Sequence, residues 1–243
     1  MDRAVFDRMA ATDQEHWWFE ARRAILDTFL ARRAHLPEGA RILEVGAGTG
    51  HNFPVMEKYG RLDAVELDAP ARSLATQRLG RPVHDAALPE LAGIDDTAYD
   101  LVALLDVLEH VEDDRAALEG LRRVVAPGGK LLLTVPAYQW MWSHHDAAHH
   151  HFRRYDRARL DALASAHGWR RCHSSYFNSH LFPPIAAARL LGKLTKSESA
   201  DDAVPPKPVN ALLRTIFGAE RAWVGRMAMP FGVSILGLYE RAD

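Results

Sequence analysis

Two kinds of apolar spacing alternate along the chain. Residues 2–35 carry Trp18, Ile25, Leu26, Phe29 and Leu30 at helical intervals among many Arg and Glu side chains, which predicts one or two amphipathic helices. From Arg41 the pattern changes to short, nearly continuous apolar runs separated by longer helical stretches: ARILEVGAG, a helix to Tyr59, LDAVELD, a helix to Leu79, PVHDA, YDLVALLDVLEHV, a helix over 114–125, and GGKLLLTVPA. Strands buried on both faces and joined by crossover helices read this way, so the expected core is a mostly parallel sheet. After Pro136 the segment WMWSHHDAAHHHFRRY loses all periodicity and reads as a functional loop. There follow a helix over 157–167, a strand WRRCHSSYF, an apolar run LFPPIAAARLLGKL, a polar proline-bearing loop, a helix through VNALLRTIFGAERAWVGRM, and a last strand GVSILGLYER. In the proline-bearing loop, SESADDAVPPKP has the composition of a locally disordered stretch.

Composition narrows the class. A chain of 243 residues with this alternation suits one α/β domain. A formal net charge of -2 leaves no basic footprint for nucleic acid. A single cysteine, Cys172, allows no internal disulfide, and the opening segment lacks the uninterrupted apolar stretch of a secretory signal, so a cytoplasmic location is expected. No apolar run reaches the roughly 18–20 residues of a membrane helix. Residues 181–191 come closest, and with Lys193 and Lys196 behind them they are also compatible with peripheral membrane contact.

The sharpest motif is Glu44-Val45-Gly46-Ala47-Gly48-Thr49-Gly50, between the apolar strand 41–43 and a helix. Glycines at such a turn let backbone N–H groups approach a ligand. The dinucleotide fingerprint has a glycine at its sixth position, where this chain has His51, so nicotinamide binding by a Rossmann oxidoreductase is disfavoured. Glu66, followed by Leu67, ends the next strand twenty residues after Gly46, where a carboxylate accepts ribose hydroxyl protons; Asp68 is the competing acid. Asp85, followed by Ala86, ends PVHDA and suits an adenine amino group.

Taken in order, ILEVGAGTG, VELD, HDA and LLDVLEHV with VVAPGGKLLLTVP resemble the motifs of the class I S-adenosylmethionine-dependent methyltransferases, in the large group with ubiquinone-type and other small-molecule enzymes. The resemblance covers roughly residues 15–240. It implies a Rossmann-like seven-stranded sheet, mostly parallel with an antiparallel last strand and helices on both faces. It implies S-adenosylmethionine as cofactor, the turn from Gly46 to Gly50 around its methionine part, Glu66 on the ribose, Asp85 and Ala86 on the adenine, and Asp106 and Val107 beneath it. One domain then divides into an N-terminal helical cap (1–36), a cofactor-binding core (41–137), substrate-side insertions (138–156 and 176–232) and a last strand (233–241). His16-Trp17-Trp18-Phe19 with Arg22-Arg23 is similar to the opening of many bacterial members; two readings stay open, one in which Trp17 and Arg22 close over the cofactor and pair with its carboxylate, and one in which the helix caps the sheet with Trp18 and Phe19 buried.

Methyl transfer to an acidic heteroatom calls for a proton acceptor, and imidazole suits that task. His145 beside Asp146, His151, and Tyr155 follow the fifth strand at the sheet's carboxyl edge, where open α/β sheets bind their ligands. They are the candidate catalytic groups. The acceptor pocket is expected over residues 138–155 and 176–191, walled by Trp140, Trp142, Phe152, Phe177 and Phe182, and suited to a small-molecule or lipid-like acceptor. His145 and His149 have i, i+4 spacing, and Asp106-Val107-Leu108-Glu109-His110 resembles the segment through which ubiquinone-type enzymes hold a divalent cation. Adjacent histidines converge poorly on one ion and many metal-free members share that segment, so no metal is expected. A non-catalytic scaffold subunit of the same fold is the competing class, and the intact glycines, Glu66 and Asp85 argue against it.

Overall fold

The computed structural model of the chain describes Asp7, residues 10–195 and residues 204–243. The expectations for residues 2–6, 8 and 9 of the N-terminal cap, and for 196–203 of the proline-bearing loop, its local disorder included, lie outside the described residues. Among the described residues six strands appear in chain order: β1 (Arg41–Val45), β2 (Arg61–Val65), β3 (Tyr99–Leu105), β4 (Val125–Pro136), β5 (Trp169–Phe177) and β6 (Ser234–Arg241). They form one sheet in the order β2-β1-β3-β4-β6-β5. The first four are mutually parallel, and β6 enters antiparallel between β4 and β5, as the sequence predicts for the last strand.

Among the described residues the expected seventh strand is not formed. PVHDA contributes only a parallel bridge between Val65 and His84. Pro82 has no N–H to give a ladder, and Arg81 donates from Nε to the Leu62 carbonyl at 3.1 Å, so a side chain closes part of the β2 edge.

Eight helices connect the strands among the described residues: α1 (Trp17–Arg33), α2 (Phe53–Met56), α3 (Ala69–Leu79), α4 (Asp114–Val124), α5 (His144–Ala148), α6 (Arg157–Ala166), α7 (Phe182–Thr195) and α8 (Lys207–Gly218). The helix expected to run to Tyr59 is the single turn α2. Along each central strand the side chains alternate between two cores. Ile42, Leu101, Ala103 and Leu132 pack with Ile25, Leu26 and Phe29 of α1, whereas Leu43, Val102, Leu104 and Leu133 pack with Leu118 and Leu121 of α4. Double-sided burial is the reason the strands read as unbroken apolar runs.

The strands leave the carboxyl edge sharply. Gly46 after β1, Asp106 after β3, Tyr138 after β4 and Asn178 after β5 have φ of +72°, +57°, +58° and +55°. Left-handed backbone at a non-glycine residue is uncommon and is maintained only where its surroundings demand it. Here it folds the connecting segments over one edge of the sheet. The Glu220 carboxylate fixes one of these turns by accepting the Asn178 and His180 N–H groups at 2.8 and 2.9 Å, and the Ser179 N–H as well. Among the described residues no helix is long and apolar enough to cross a membrane.

Helix α4 lies against the segment after PVHDA so closely that a Cβ at Gly120 would stand 1.9 Å from the Pro89 carbonyl oxygen. Gly120→Ala is expected to destabilise the fold by about 1–3 kcal/mol through overpacking. Urea unfolding should show a lower midpoint at unchanged slope.

Candidate functional site

A cleft of about 1380 Å³ lies along the carboxyl edge, between the turn after β1, the N-terminal segment from Thr12 to Arg22, the turn after β3, and residues 145–154. Small-molecule sites are commonly about 300–1,000 Å³, so this one has room for two ligands side by side.

At one end the glycine turn is bare backbone. A Cβ at Gly46 would meet the Val107 side chain at 2.6 Å, so packing against the turn after β3 demands glycine there; at Gly48 the same atom would meet open space. Ala47 and Thr49 line the cleft beside them. Glu66 reaches back into this turn, its Oε2 accepting the Gly48 N–H at 2.7 Å and its Oε1 the Asp68 N–H at 2.8 Å. Each carboxylate oxygen keeps a lone pair for a further donor. Asp68 instead caps α3 through the Ala71 N–H at 2.9 Å, which separates the two competing acids. Leu67, Ala86, Val107 and Trp17 line the same cleft.

Three predicted contacts are corrected. Glu44 does not face the cleft; its carboxyl lies under the turn and accepts from Asn52 Nδ2 at 2.9 Å. Burial pushes this carboxyl up to about 7, against the Asn52 bond. Gly50 is likewise behind the cleft, where a Cβ would run into the Phe53 ring at 2.3 Å. Asp85 is turned outward onto Arg72 at 3.0 Å, because the chain leaves the β2 edge after one bridge.

The floor of the cleft is charged. Arg22, 1% exposed, places Nη2 2.7 Å from Thr134 Oγ1 and 2.6 Å from Asp106 Oδ2, with its guanidinium 4.9 Å from the Trp18 ring centre. His51 stands nearby with its Nε2 buried and without a hydrogen bond; burial, and then the Arg22 charge, push it down to about 3, so it is neutral. Asp13, which the sequence did not single out, ties the N-terminal segment down: it accepts from Thr49 Oγ1 and takes Arg78 bidentately at 2.6 and 3.2 Å.

The far end is built from imidazoles and arginines. His110, His145, His149 and His151 line it together with Glu109, Arg154 and Arg189. The buried Asp146 carboxylate organises them: Oδ1 lies 2.9 Å from His151 Nδ1 and accepts from Arg154 Nε at 2.7 Å, while Oδ2 accepts the Ser143 N–H at 2.8 Å and an Arg189 Nη1 bond at 3.3 Å. Burial works against its ionisation, but the His151 bond and the Arg154 guanidinium outweigh it and hold the carboxyl well below the usual range. An ionised Asp146 Oδ1 facing Nδ1 favours the His151 tautomer that carries its proton there. Glu109 is buried with Oε2 unbonded; burial, and then the Asp106 charge, push its carboxyl well above the ordinary value. Burial, then His151, push His110 down to about 3. Potential ligand atoms of Glu109, His110 and His151 lie within 4.8 Å of one another.

Tyr155, a predicted catalytic group, is corrected: it is wholly buried behind the edge and its hydroxyl donates to Asp114 at 3.0 Å. The expected aromatic wall is corrected too. Of Trp140, Trp142, Phe152, Phe177 and Phe182, Phe152 alone lines the cleft. Tyr138, Trp140 and Phe182 pack on one another outside it, stacked, tilted and edge-on, with ring centres 5.6–6.2 Å apart, and Phe177 packs on Phe217. The sequence reading missed Arg154 and Arg189. The signal for Arg189 was a lone cation inside IAAARLL, an apolar run with no other charge.

Residues 15–181 match a family model described as a methyltransferase domain. A ubiquinone biosynthesis O-methyltransferase of Bordetella avium (strain 197N) is 31% identical over 144 residues, covering 53% of this chain and 59% of that protein. The chain spans about half the length of the curated relatives it matches. Among solved structures, a SAM-dependent methyltransferase from Archaeoglobus fulgidus superposes with a TM-score of 0.58 at 14% identity, over 91% of this chain and 94% of that one. The Haemonchus contortus phosphoethanolamine N-methyltransferase 2, solved with S-adenosyl-L-methionine, gives 0.58 at 14% identity over 88% and 51%. At such identities these structures speak for the fold alone.

Glu44 yields a pH test. Its carboxyl stays protonated in the fold up to about pH 7 but ionises near its ordinary 4.5 when unfolded. The stability it contributes is therefore complete below 4.5 and is lost as pH rises to about 7. Glu44→Gln, which keeps the Asn52 bond without ionising, should gain on the wild type by up to about 3 kcal/mol across that window. Parallel urea titrations at each pH check it, and curves of constant separation refute it.

Proposed function

The chain belongs to the methyltransferase-domain family, and from that premise we propose that it binds S-adenosylmethionine in the carboxyl-edge cleft and moves its methyl group to a small-molecule or lipid-like acceptor. The observation that carries this reading is the pairing of a bare glycine turn with Glu66 at one end of a two-ligand cleft and an oriented imidazole at the other. Bound there, S-adenosylmethionine supplies a methyl group on an electrophilic sulfonium. Gly46, Ala47 and Gly48 would face it with backbone, Glu66 would accept from the ribose, and Leu67 and Ala86 would flank the base. Trp17, Arg22, Asp106 and Val107 would surround the amino-acid end. The buried Arg22 guanidinium and the uncommitted His51 Nε2 fit a ligand that brings a carboxylate to the cleft floor.

On the acceptor side His151 is the proton acceptor. Asp146 fixes its tautomer and stabilises the imidazolium, as carboxylates do behind catalytic histidines. His145 lines the same end and positions the acceptor. The segment 138–156 and the stretch from Asn178 through α7 form the substrate side, closed by Phe152 and Ile185. Exposed Leu190 and Leu191 on α7 support peripheral membrane contact and a lipid-like acceptor.

Calorimetry is expected to give micromolar binding of S-adenosylhomocysteine, about 8 kcal/mol. Glu66→Ala should weaken it by about 1.5–3 kcal/mol through loss of a charged acceptor, and Gly48→Val should abolish it by filling open space beside the turn. Binding of NADH in place of the nucleoside ends the proposal. Nucleoside binding with no turnover against any small-molecule panel turns it toward a scaffold subunit.

Once an acceptor is found, His151→Ala should lower turnover at least about tenfold while cofactor affinity stays within about 0.5 kcal/mol. Turnover is expected to survive exhaustive chelation. Loss on EDTA treatment, restored by a divalent cation, reverses that and points to Glu109, His110 and His151.

A further inference from the structure

Helix α8 packs Leu213, Ile216 and Phe217 into the core it shares with α1. Its opposite positions, Pro208, Ala211, Leu212 and Thr215, with Ala219 just beyond, are exposed at intervals of three and four residues and carry no charge. The Thr215 hydroxyl is already bonded to the Ala211 carbonyl at 2.8 Å. A surface helix ordinarily turns charged and polar residues to that side. In the turn that follows, 219–227, the Met227 N–H donates to the Trp223 carbonyl at 3.2 Å, so the two side chains stand one helical turn apart on one face. They are 45% and 52% exposed.

Four guanidiniums gather around this turn. Arg32 Nη1 donates to the Arg221 and Val224 carbonyls at 2.6 and 2.7 Å, and Arg33 Nε to the Gly225 carbonyl at 2.5 Å. Arg221 and Arg226 bond to the Gly218 and Ala222 carbonyls at 3.1 and 3.2 Å. Burial, and then the Arg226 charge, push Arg32 below the usual guanidinium value, so the like charges feel one another. Among the described residues none of the four has a carboxylate partner. The acids of the neighbouring elements are engaged elsewhere: Glu20 on Arg214, Asp27 on Lys58, and buried Glu220 on the Asn178 and His180 N–H groups. Lys207, exposed at the head of α8, adds a further cation.

An anionic lipid surface answers both features at once, with headgroup phosphates for the guanidiniums and an acyl boundary for Trp223, Met227 and Leu212. Nucleic acid would match the charges but leave the aliphatic side chains in water. A second copy of the same face would set four arginines against four more. We infer that α8 and the turn 219–227 form the face by which the chain lies on an anionic membrane surface. This gives the peripheral contact proposed from α7 a second face and a lipid charge. Its use, delivery of a lipid-like acceptor, rests on the proposed function; the face itself stands on its own residues. Helix α8 also holds the cleft wall, because Asn210 Oδ1 accepts the Trp17 N–H and its Nδ2 donates to the Glu15 carbonyl, both at 2.9 Å. A helix lying on lipid is thereby joined to the segment that closes the cleft.

The test sediments the full chain with vesicles of phosphatidylcholine alone and of phosphatidylcholine mixed with phosphatidylglycerol. Binding at least about tenfold tighter to the anionic vesicles, weakened by added salt, is expected. The double variant Arg221→Gln, Arg226→Gln should lower it at least about tenfold. Trp223→Ser should lower it as well, with an unchanged urea midpoint, and Leu190→Ser on α7 should lower it less. If Trp223→Ser shifts the midpoint, Met227→Ser reads the same face. Equal binding to both kinds of vesicle, no vesicle binding, or binding lost with Leu190→Ser and untouched by the variants of the turn overturns the inference. Polyuridylate bound in preference to anionic vesicles, or a dimer that Trp223→Ser dissociates in sedimentation velocity, overturns it too. Calorimetry of S-adenosylhomocysteine separates the two ideas. Nucleoside binding without vesicle binding sinks the membrane face alone, and vesicle binding without nucleoside binding sinks the methyltransferase reading alone.

Discussion

A guanidinium taken down to 1% exposure must be given hydrogen bonds and a counter-charge or it unfolds its surroundings, and Arg22 sets that condition at the centre of the cleft. The side chain starts on α1, crosses the carboxyl edge of the sheet, and ends between Thr134 of β4 and Asp106 after β3. Helix α1 is thereby fixed relative to two central strands by polar contact as well as by the packing of Ile25, Leu26 and Phe29. Asp106 reaches its partner because its backbone turns left-handed as β3 ends. The same charge helps to keep His51 neutral, so His51 adds no second positive charge beside the Arg22–Asp106 pair near neutrality.

Asp146 is the inverse case. Here the buried charge is a carboxylate, and it gathers partners from two places: His151 and Arg154 from its own loop and Arg189 from α7. The stretch with no helical or strand period owes its shape to this hub, which replaces a hydrophobic face as the ordering force. Breaking such a hub by removing the carboxylate would leave two arginines without their common partner, which explains why the loop can be both irregular and tightly placed.

Legibility from sequence followed the range of each interaction. The central strands were readable because both faces of the sheet are buried, which makes local apolar runs unavoidable. The glycine turn and Glu66 were readable because their chemistry lies within twenty residues and depends on backbone. PVHDA was over-read as a strand: it has the apolar run but sits at an edge, with Pro82 to interrupt pairing. The Arg22–Thr134 bond spans 112 residues and the Arg189–Asp146 pair spans 43, and no periodic pattern records either. The aromatic residues after β4 show the limit from the other side. Composition suggested that Trp140 and Phe182 wall the pocket, but they pack with Tyr138 outside the cleft, where Trp140 stays exposed.

The two ends of the cleft therefore differ in what encodes them. The end proposed for the nucleoside is made of main-chain geometry, left-handed glycines and one carboxylate that holds the turn's own N–H. Few side-chain substitutions can alter its preference without disturbing the sheet beneath. The other end is made of long side chains hung on the Asp146 hub in loops outside the strands, so its charge and shape change with single residues while β1 to β4 stay as they are. A fold constructed this way keeps its methyl donor and varies its acceptor. That is the physical reason why Gly46, Gly48 and Glu66 speak for the reaction class, whereas the substrate must be sought in the charges of residues 145–154 and of α7.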